Sequence, residues 1–105
     1  MIAADQAALF AQARSLLSSL SRTAERVEPA MAYEQVLIAL DRQVRVGELA
    51  MISPVAGEER YAVYREAQDT LRALTQAGAD AFEVGICGTM LATAWDEEQA
   101  QEPRG

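Results

Sequence analysis

The sequence predicts an all-α protein folded as an antiparallel four-helix bundle of two helical hairpins. Apolar residues recur at spacings of three and four in four successive segments. Proline, glycine and helix-capping residues separate those segments. Half of the 105 residues are hydrophobic, which is enough for one small core. Helices are expected near residues 3–27, 30–52, 57–77 and 80–99. Residues 1–99 are predicted to form one domain, and residues 100–105 a disordered acidic and polar tail.

The first predicted helix is amphipathic, and its apolar stripe is wide. Six small or apolar residues lie along one face, and two more broaden it: Leu9, Ala13, Leu16, Leu20, Ala24 and Val27, with Phe10 and Leu17 beside them. The serines at 18, 19 and 21 compete for backbone hydrogen bonds, so a bend or an early end is expected near them. Glu28-Pro29 is predicted to separate this helix from the next.

The second predicted helix carries a heptad-like seam of nearly three repeats: Tyr33, Leu37, Leu40, Val44, Gly47 and Met51. An acidic row of Glu34, Asp41 and Glu48 flanks the seam at a spacing of seven. Val44, Val46 and Ile52 favour strands, so residues 44–52 could instead form two short strands around Gly47. The seam favours the helix.

The third and fourth predicted helices form a tight hairpin. The third follows a loop at residues 53–57, and its seam comprises Tyr64, Ala67, Leu71 and Leu74. Arg65 and Arg72 lie beside that seam and could face the acidic row of the second helix. Gly78 has the position of a helix-ending glycine, and Asp80 with Glu83 has the spacing of a capping box. The connection is therefore very short, which makes the two helices antiparallel.

The segment from Phe82 to Trp95 is apolar or small nearly all round the helix. A helix of this kind is usually interior, because it has no polar face to turn toward water. The fourth helix is therefore expected to be the most buried. Gly85, Gly88 and Ala92 form a small face that would let a neighbouring backbone approach closely.

The charge and composition exclude several classes of function. Nine arginines against sixteen acidic residues give a net charge of −7, which disfavours direct binding of nucleic acid. No apolar run reaches the roughly 18–20 residues that a membrane-spanning helix needs. The first residues lack the basic region and the cleavage site of a signal peptide, and a single cysteine cannot form an internal disulfide. A cytoplasmic protein is expected.

The residue types available argue against an enzyme. The chain contains no histidine or lysine, so the commonest general base, Schiff-base nucleophile and imidazole metal ligand are all missing. No metal-ligand spacing or phosphate loop occurs, and no cofactor is predicted. Glu83 could be an acid or base on the apolar face of the fourth helix, but the capping box explains it better. Cys87 lacks a basic flank and is predicted to be a core residue.

The function predicted on this basis is that of a non-enzymatic protein-interaction module: an adaptor, an assembly factor or a small inhibitor. One alternative is binding of a small apolar or aromatic ligand, lined by Tyr61, Tyr64, Met90 and Trp95. Another is an acidic mimic of nucleic acid that occupies a basic site on a different protein.

The apolar flanks of the first two helices exceed what one bundle can bury, so a protein partner or a homodimer is expected. The predicted interface residues are Leu16, Leu37, Ile38 and Val44.

Overall fold

A computed structural model describes residues 4–42 and 59–100, and these residues form four α-helices. The helices are α1 (Ala4–Thr23), α2 (Val27–Asp41), α3 (Arg60–Gln76) and α4 (Ala81–Ala100). No strand occurs in these two ranges. The predicted all-α, four-helix fold is confirmed.

The helices pack as a bundle in which every neighbouring pair is antiparallel. α1 lies between α2 and α3, and α4 completes the square by contacting the same two helices. Polar contacts fix the directions: Gln6 near the start of α1 donates to the carbonyl of Ala77, whereas Thr23 at its end accepts from Arg60. Likewise, Arg26 beside the start of α2 donates to the carbonyl of Glu98 near the end of α4. The bundle thus has two layers, α1 with α3 and α2 with α4.

The core lies along the bundle axis, and α1 contributes most to it. Its residues Phe10, Ala13, Leu16, Leu17 and Leu20 are all buried, together with Ser15 and Ser19. The other helices each bury a narrower seam: Pro29, Tyr33, Val36 and Leu40 from α2; Val63, Ala67, Thr70, Leu71 and Leu74 from α3; Val84, Cys87, Leu91 and Ala94 from α4. Most of the wide stripe of α1 is buried, since α2 and α3 pack against it from two sides, and Leu9 is partly buried.

The boundary between the first two helices differs from the prediction. α1 ends at Thr23, just beyond the serine cluster. The Thr23 hydroxyl donates a hydrogen bond to the carbonyl oxygen of Ser19, with 2.7 Å between the two oxygens. α2 then begins at Val27, so Pro29 lies inside its first turn rather than before it. Proline is tolerated there because amide groups of the first turn have no acceptor within the helix.

The hairpin of α3 and α4 agrees with its prediction. Gly78 has a φ of +105°, and its amide donates to Thr75 while the next amide, of Ala79, donates to Leu74. These two bonds form a Schellman motif. Asp80 then caps α4, since its Oδ1 accepts from the amides of Phe82 at 2.9 Å and Glu83 at 3.0 Å.

Two predictions about the second helix have different outcomes. The segment 44–52, for which strands were an alternative to helix, lies outside the described residues. The idea that Arg65 and Arg72 face the acidic row of α2 is wrong, because α2 and α3 occupy diagonal corners of the bundle and their backbones do not pack against each other. Asp41 of that row instead pairs with Arg14 of α1 at 2.7 Å.

The expectation that the fourth helix is the most buried is also wrong. α4 buries one seam, whereas Phe82 is 72% exposed and Ile86 is 40% exposed. The sequence showed correctly that this helix is apolar on several sides. The bundle covers only one of those sides.

Candidate functional site

The outer surface of α2 carries an apolar stripe opposite the face that it buries. Val27, Met31 and Ile38 lie within about 40° of one another on the helix, at about 100° per residue. All three are exposed. The buried residues of α2 centre on Tyr33 and Val36, on the far side of the helix. α2 therefore has two apolar faces, of which the bundle covers one.

α4 has the same construction. Phe82 and Ile86 are one turn apart on its outer face, opposite the buried seam. They line an open concavity of about 460 Å³ with Ala81, Gly85, Thr89 and Met90. A Cβ added to Gly85 would meet no atom within 4 Å, so the backbone there is open to a neighbour. We call the exposed residues of the two helices, Val27, Met31, Ile38, Phe82 and Ile86, the outer apolar stripes.

Negative charge is concentrated on the same layer. Among the described residues, the α2–α4 layer, counted with its capping residues, exposes six carboxylates and one arginine: Glu28, Glu34, Asp80, Glu83, Asp96 and Glu97, with Arg42 at the end of α2. The α1–α3 layer, counted with the capping residue of α3, exposes three of each sign: Arg22, Arg65 and Arg72, with Glu59, Glu66 and Asp69. One layer is thus apolar and acidic on its outside, and the other is polar and balanced.

A second candidate site lies at one end of the bundle, where α1 and α4 finish and α2 and α3 begin. Arg60 binds both carboxylate oxygens of Glu98, with Nε 3.0 Å from Oε2. Its guanidinium also contacts the Thr23 hydroxyl and the Leu20 carbonyl. The backbone carbonyl of Glu98 accepts from Arg26 at 2.8 Å. This network joins all four helices at the bundle end.

Aromatic rings stand beside this network. Tyr64 stacks on Trp95 with ring centroids 4.7 Å apart and an interplanar angle of 13°. Tyr61 is tilted against both rings, 5.9 Å from Trp95 and 6.3 Å from Tyr64. Tyr61 and Trp95 line a cavity of about 530 Å³, whose other lining residues are Thr23, Glu25, Arg26, Pro29, Glu59, Arg60, Glu98 and Gln99.

Tyr33 lies behind the ion pair, fully buried. The guanidinium carbon of Arg60 is 5.8 Å from the centroid of its ring. Its hydroxyl has no hydrogen-bond partner in the described part of the chain. Burial raises the pKa of the phenol above its ordinary value, and the negative charge of Glu98 raises it further. Tyr33 therefore stays neutral well into the alkaline range.

The predicted ligand-binding residues are partly brought together. Tyr61, Tyr64 and Trp95 form the aromatic cluster at the bundle end. Met90 is half-buried on α4 and lines the outer concavity instead of the bundle-end cavity. Trp95 lies five residues beyond Met90, which places the two on different sides of the helix.

The predicted interface residues have three different environments. Ile38 is exposed in the outer apolar stripes, and Leu37 is half-buried against the core. Leu16 is wholly inside the bundle, so its placement at an outer interface is wrong; α2 and α3 already cover that flank of α1. Val44 lies outside the described residues.

The residues considered for catalysis occupy ordinary structural positions. Glu83 is exposed in the first turn of α4 and does not project into the interior, because the face on which it lies is turned to solvent. Cys87 is buried in the core. Within residues 4–42 and 59–100, no three cysteine or carboxylate side chains lie close enough together to hold a metal ion.

The ion-pair network at the bundle end was not predicted. Arg60 and Glu98 are separated by 38 residues, and neither belongs to a recognisable motif. The only sequence signal is that each lies at a helix terminus, and these termini meet only once the bundle has formed.

The chain was compared with protein-family models, with curated proteins and with solved structures. None of these comparisons finds a match. Of the described helices, none has both the length and the apolar character needed to cross a membrane.

Proposed function

We propose that this protein is a non-enzymatic interaction module that binds a protein partner through the α2–α4 layer. One observation supports this most strongly. All five residues of the outer apolar stripes lie on that layer, whereas the only other large hydrophobic residue exposed in the described ranges is Tyr61 at the bundle end. Exposed apolar residues scattered singly need no explanation, but ordered stripes on two adjacent helices are typical of a contact surface.

The stripes can supply useful binding energy. Complete burial of a Val, Ile, Met or Phe side chain contributes about 1.5–3 kcal/mol. Phe82 is 72% exposed, so most of that contribution is available to a partner. Because α2 and α4 are held rigidly by their inner seams, a partner would meet a preformed surface. These features fit an adaptor, an assembly factor or a small inhibitor.

The test is affinity capture from the native host with a surface variant and a matched control. The variant Ile38→Ser/Phe82→Ser/Ile86→Ser removes three residues of the stripes. The control Ala62→Ser/Arg65→Ser/Arg72→Ser changes three exposed residues of α3. We expect a discrete protein to co-purify with wild type and with the control and to be lost from the variant, while circular dichroism shows all three folded. Equal recovery with the variant would refute the proposal.

A second candidate function is favoured by the aromatic cluster. Tyr61 and Trp95 line a cavity of about 530 Å³, a size that suits a small ligand with an aromatic or apolar body. Tyr64 supports the Trp95 indole from behind by stacking on it. Pairs of aromatic side chains of this kind stabilise a bound ring by stacking or edge-to-face contact.

Trp95 is the only tryptophan in the chain, so its fluorescence reports on this cavity directly. We expect a ligand of this class to quench or shift the emission saturably, and Tyr61→Ser to weaken that response without changing helicity. Unaltered emission across a panel of hydrophobic and aromatic compounds, up to their solubility, would exclude this function.

A further inference from the structure

We infer that the partner of the α2–α4 layer presents a basic amphipathic helix, and that the layer does not bind a second copy of this chain. This inference rests on the proposed function and specifies the chemistry of the partner. It depends on where the charges lie relative to the outer apolar stripes.

The acidic residues are placed along the stripes themselves. On α2, Glu34 lies between Met31 and Ile38 on the same arc of the helix. On α4, Asp96 and Glu97 continue the outer face beyond the end that carries Phe82 and Ile86. A helix lying along α4 would therefore meet apolar side chains over one half of its length and carboxylates over the other.

The outer face of α4 leaves room for a second helix to lie along it. The concavity of about 460 Å³ runs along α4 from Ala81 to Met90, and Gly85 lies within it with open space above its Cα. A glycine at such a place lets another backbone approach closely. Amphipathic helices pack on apolar surfaces through residues at i, i+3 or i+4, and i+7.

The charge on this layer argues against self-association. Two copies would bring twelve exposed carboxylates to one interface and only two arginines, since each layer exposes six and one. Most of those carboxylates would be unpaired or would repel one another, which disfavours the complex. A membrane surface is disfavoured for the same reason, because cytoplasmic membrane surfaces are negatively charged. Lysine and arginine on the flanks of an apolar helix complement both features.

The experiment uses two sets of synthetic helical peptides of about 20 residues with leucine at the a and d positions. One set has lysine at the flanking positions, and the other has glutamate; within each set the leucine register is varied. Binding to the full chain is measured by isothermal titration calorimetry at two salt concentrations, and the mass of the free chain by multi-angle light scattering.

We expect at least one lysine peptide to bind tenfold or more tightly than every glutamate peptide. We also expect its affinity to fall several-fold as salt is raised, since screening weakens exposed charge pairs. Asp96→Asn/Glu97→Gln should weaken that binding, whereas Glu66→Gln/Asp69→Asn, which removes the same charge from α3, should not. The free chain should have the monomer mass of 11.4 kDa.

Four outcomes would overturn the inference. The first is equal or tighter binding of glutamate peptides, and the second is equal weakening by the two charge variants, which would mean that only net charge matters. The third is lysine binding that survives Phe82→Ser/Ile86→Ser, as expected for an acidic decoy without an apolar contact. The fourth is a free chain of twice the monomer mass that Ile86→Ser dissociates, which would show that the layer binds a second copy.

Failure of all the peptides to bind would also overturn the basic-helix inference. The proposed function would still be tested by the capture experiment, because loss of a partner from the stripe variant does not depend on the charge of that partner. The two proposals can therefore fail separately.

Discussion

Replacement of Phe82 by alanine should leave the free energy of unfolding almost unchanged, whereas Leu91→Ala on the same helix should lower it strongly. Phe82 is 72% exposed and Leu91 is 0% exposed. A fully buried large apolar side chain stabilises by about 1.5–3 kcal/mol, so the minor buried part of Phe82 contributes less than about 1 kcal/mol. Removal of a buried leucine leaves a cavity as well and costs about 2–5 kcal/mol.

Urea unfolding followed by far-ultraviolet circular dichroism compares the two variants directly. The protein should be studied at a concentration where light scattering gives the monomer mass, so that no intermolecular contact covers Phe82. If Phe82→Ala costs as much as Leu91→Ala, then α4 buries the face that carries Phe82. The assignment of that face to a partner would then be wrong.

Three further predictions concern the helix ends, the glycines and the buried tyrosine. Gly85→Ala should raise the free energy of unfolding by about 0.5–1 kcal/mol, since a Cβ there meets no other atom. Gly78→Ala should lower it by about 1–2 kcal/mol, because the φ of Gly78 is +105°. Thermal melts of the two variants show whether the two changes have opposite signs. Asp80→Ala should cost about 1 kcal/mol through loss of the cap, and Glu83→Gln should cost much less; similar midpoints in urea for the two variants would contradict this. The pKa of Tyr33 is raised in the folded chain. The contribution of Tyr33 to the free energy of unfolding is therefore complete below pH 10, near the pKa of about 10 of a tyrosine in the unfolded chain. That contribution is lost as the pH rises above this value. Wild type should therefore lose stability faster than Tyr33→Phe above about pH 10, by up to about 1.4 kcal/mol per pH unit, and parallel curves for the two would show that the folded pKa is not raised.

The sequence predicted best what depends on neighbours in the chain. The glycine that ends α3 and the aspartate that caps α4 act within a few residues of themselves, so their spacing was sufficient. The predicted start of α2 was wrong by a few residues, because proline is compatible both with a break before a helix and with the first turn of that helix.

The orientation of α4 could not be read from its own residues. Periodicity identifies a buried face when the other face is polar, but Ile86 and Leu91 are equally apolar and lie on opposite sides of the helix. The choice between them depends on which seam fits the three other helices. Only the structure shows which of the two sides the bundle buries.

The bundle-end site was beyond sequence reasoning for a different reason. The aromatic residues Tyr61 and Tyr64 could be suggested because they are close in sequence, and Trp95 because it is the only tryptophan. The pairing of Arg60 with Glu98, and the burial of Tyr33 behind them, depends on the meeting of three helix ends. No local sequence pattern predicts which helix ends lie next to one another in the bundle.

The most direct test of the interaction surface is photo-crosslinking in the native host. Benzoylphenylalanine adds a benzoyl group to the ring of Phe82, and this group can extend into solvent because Phe82 is 72% exposed. The control places the same residue at Ala62, which is exposed on α3. We predict a discrete crosslinked protein adduct from position 82 and none from position 62. A chain that forms no adduct at position 82, or the same adduct at both positions, would contradict the assignment of the α2–α4 layer as the binding surface.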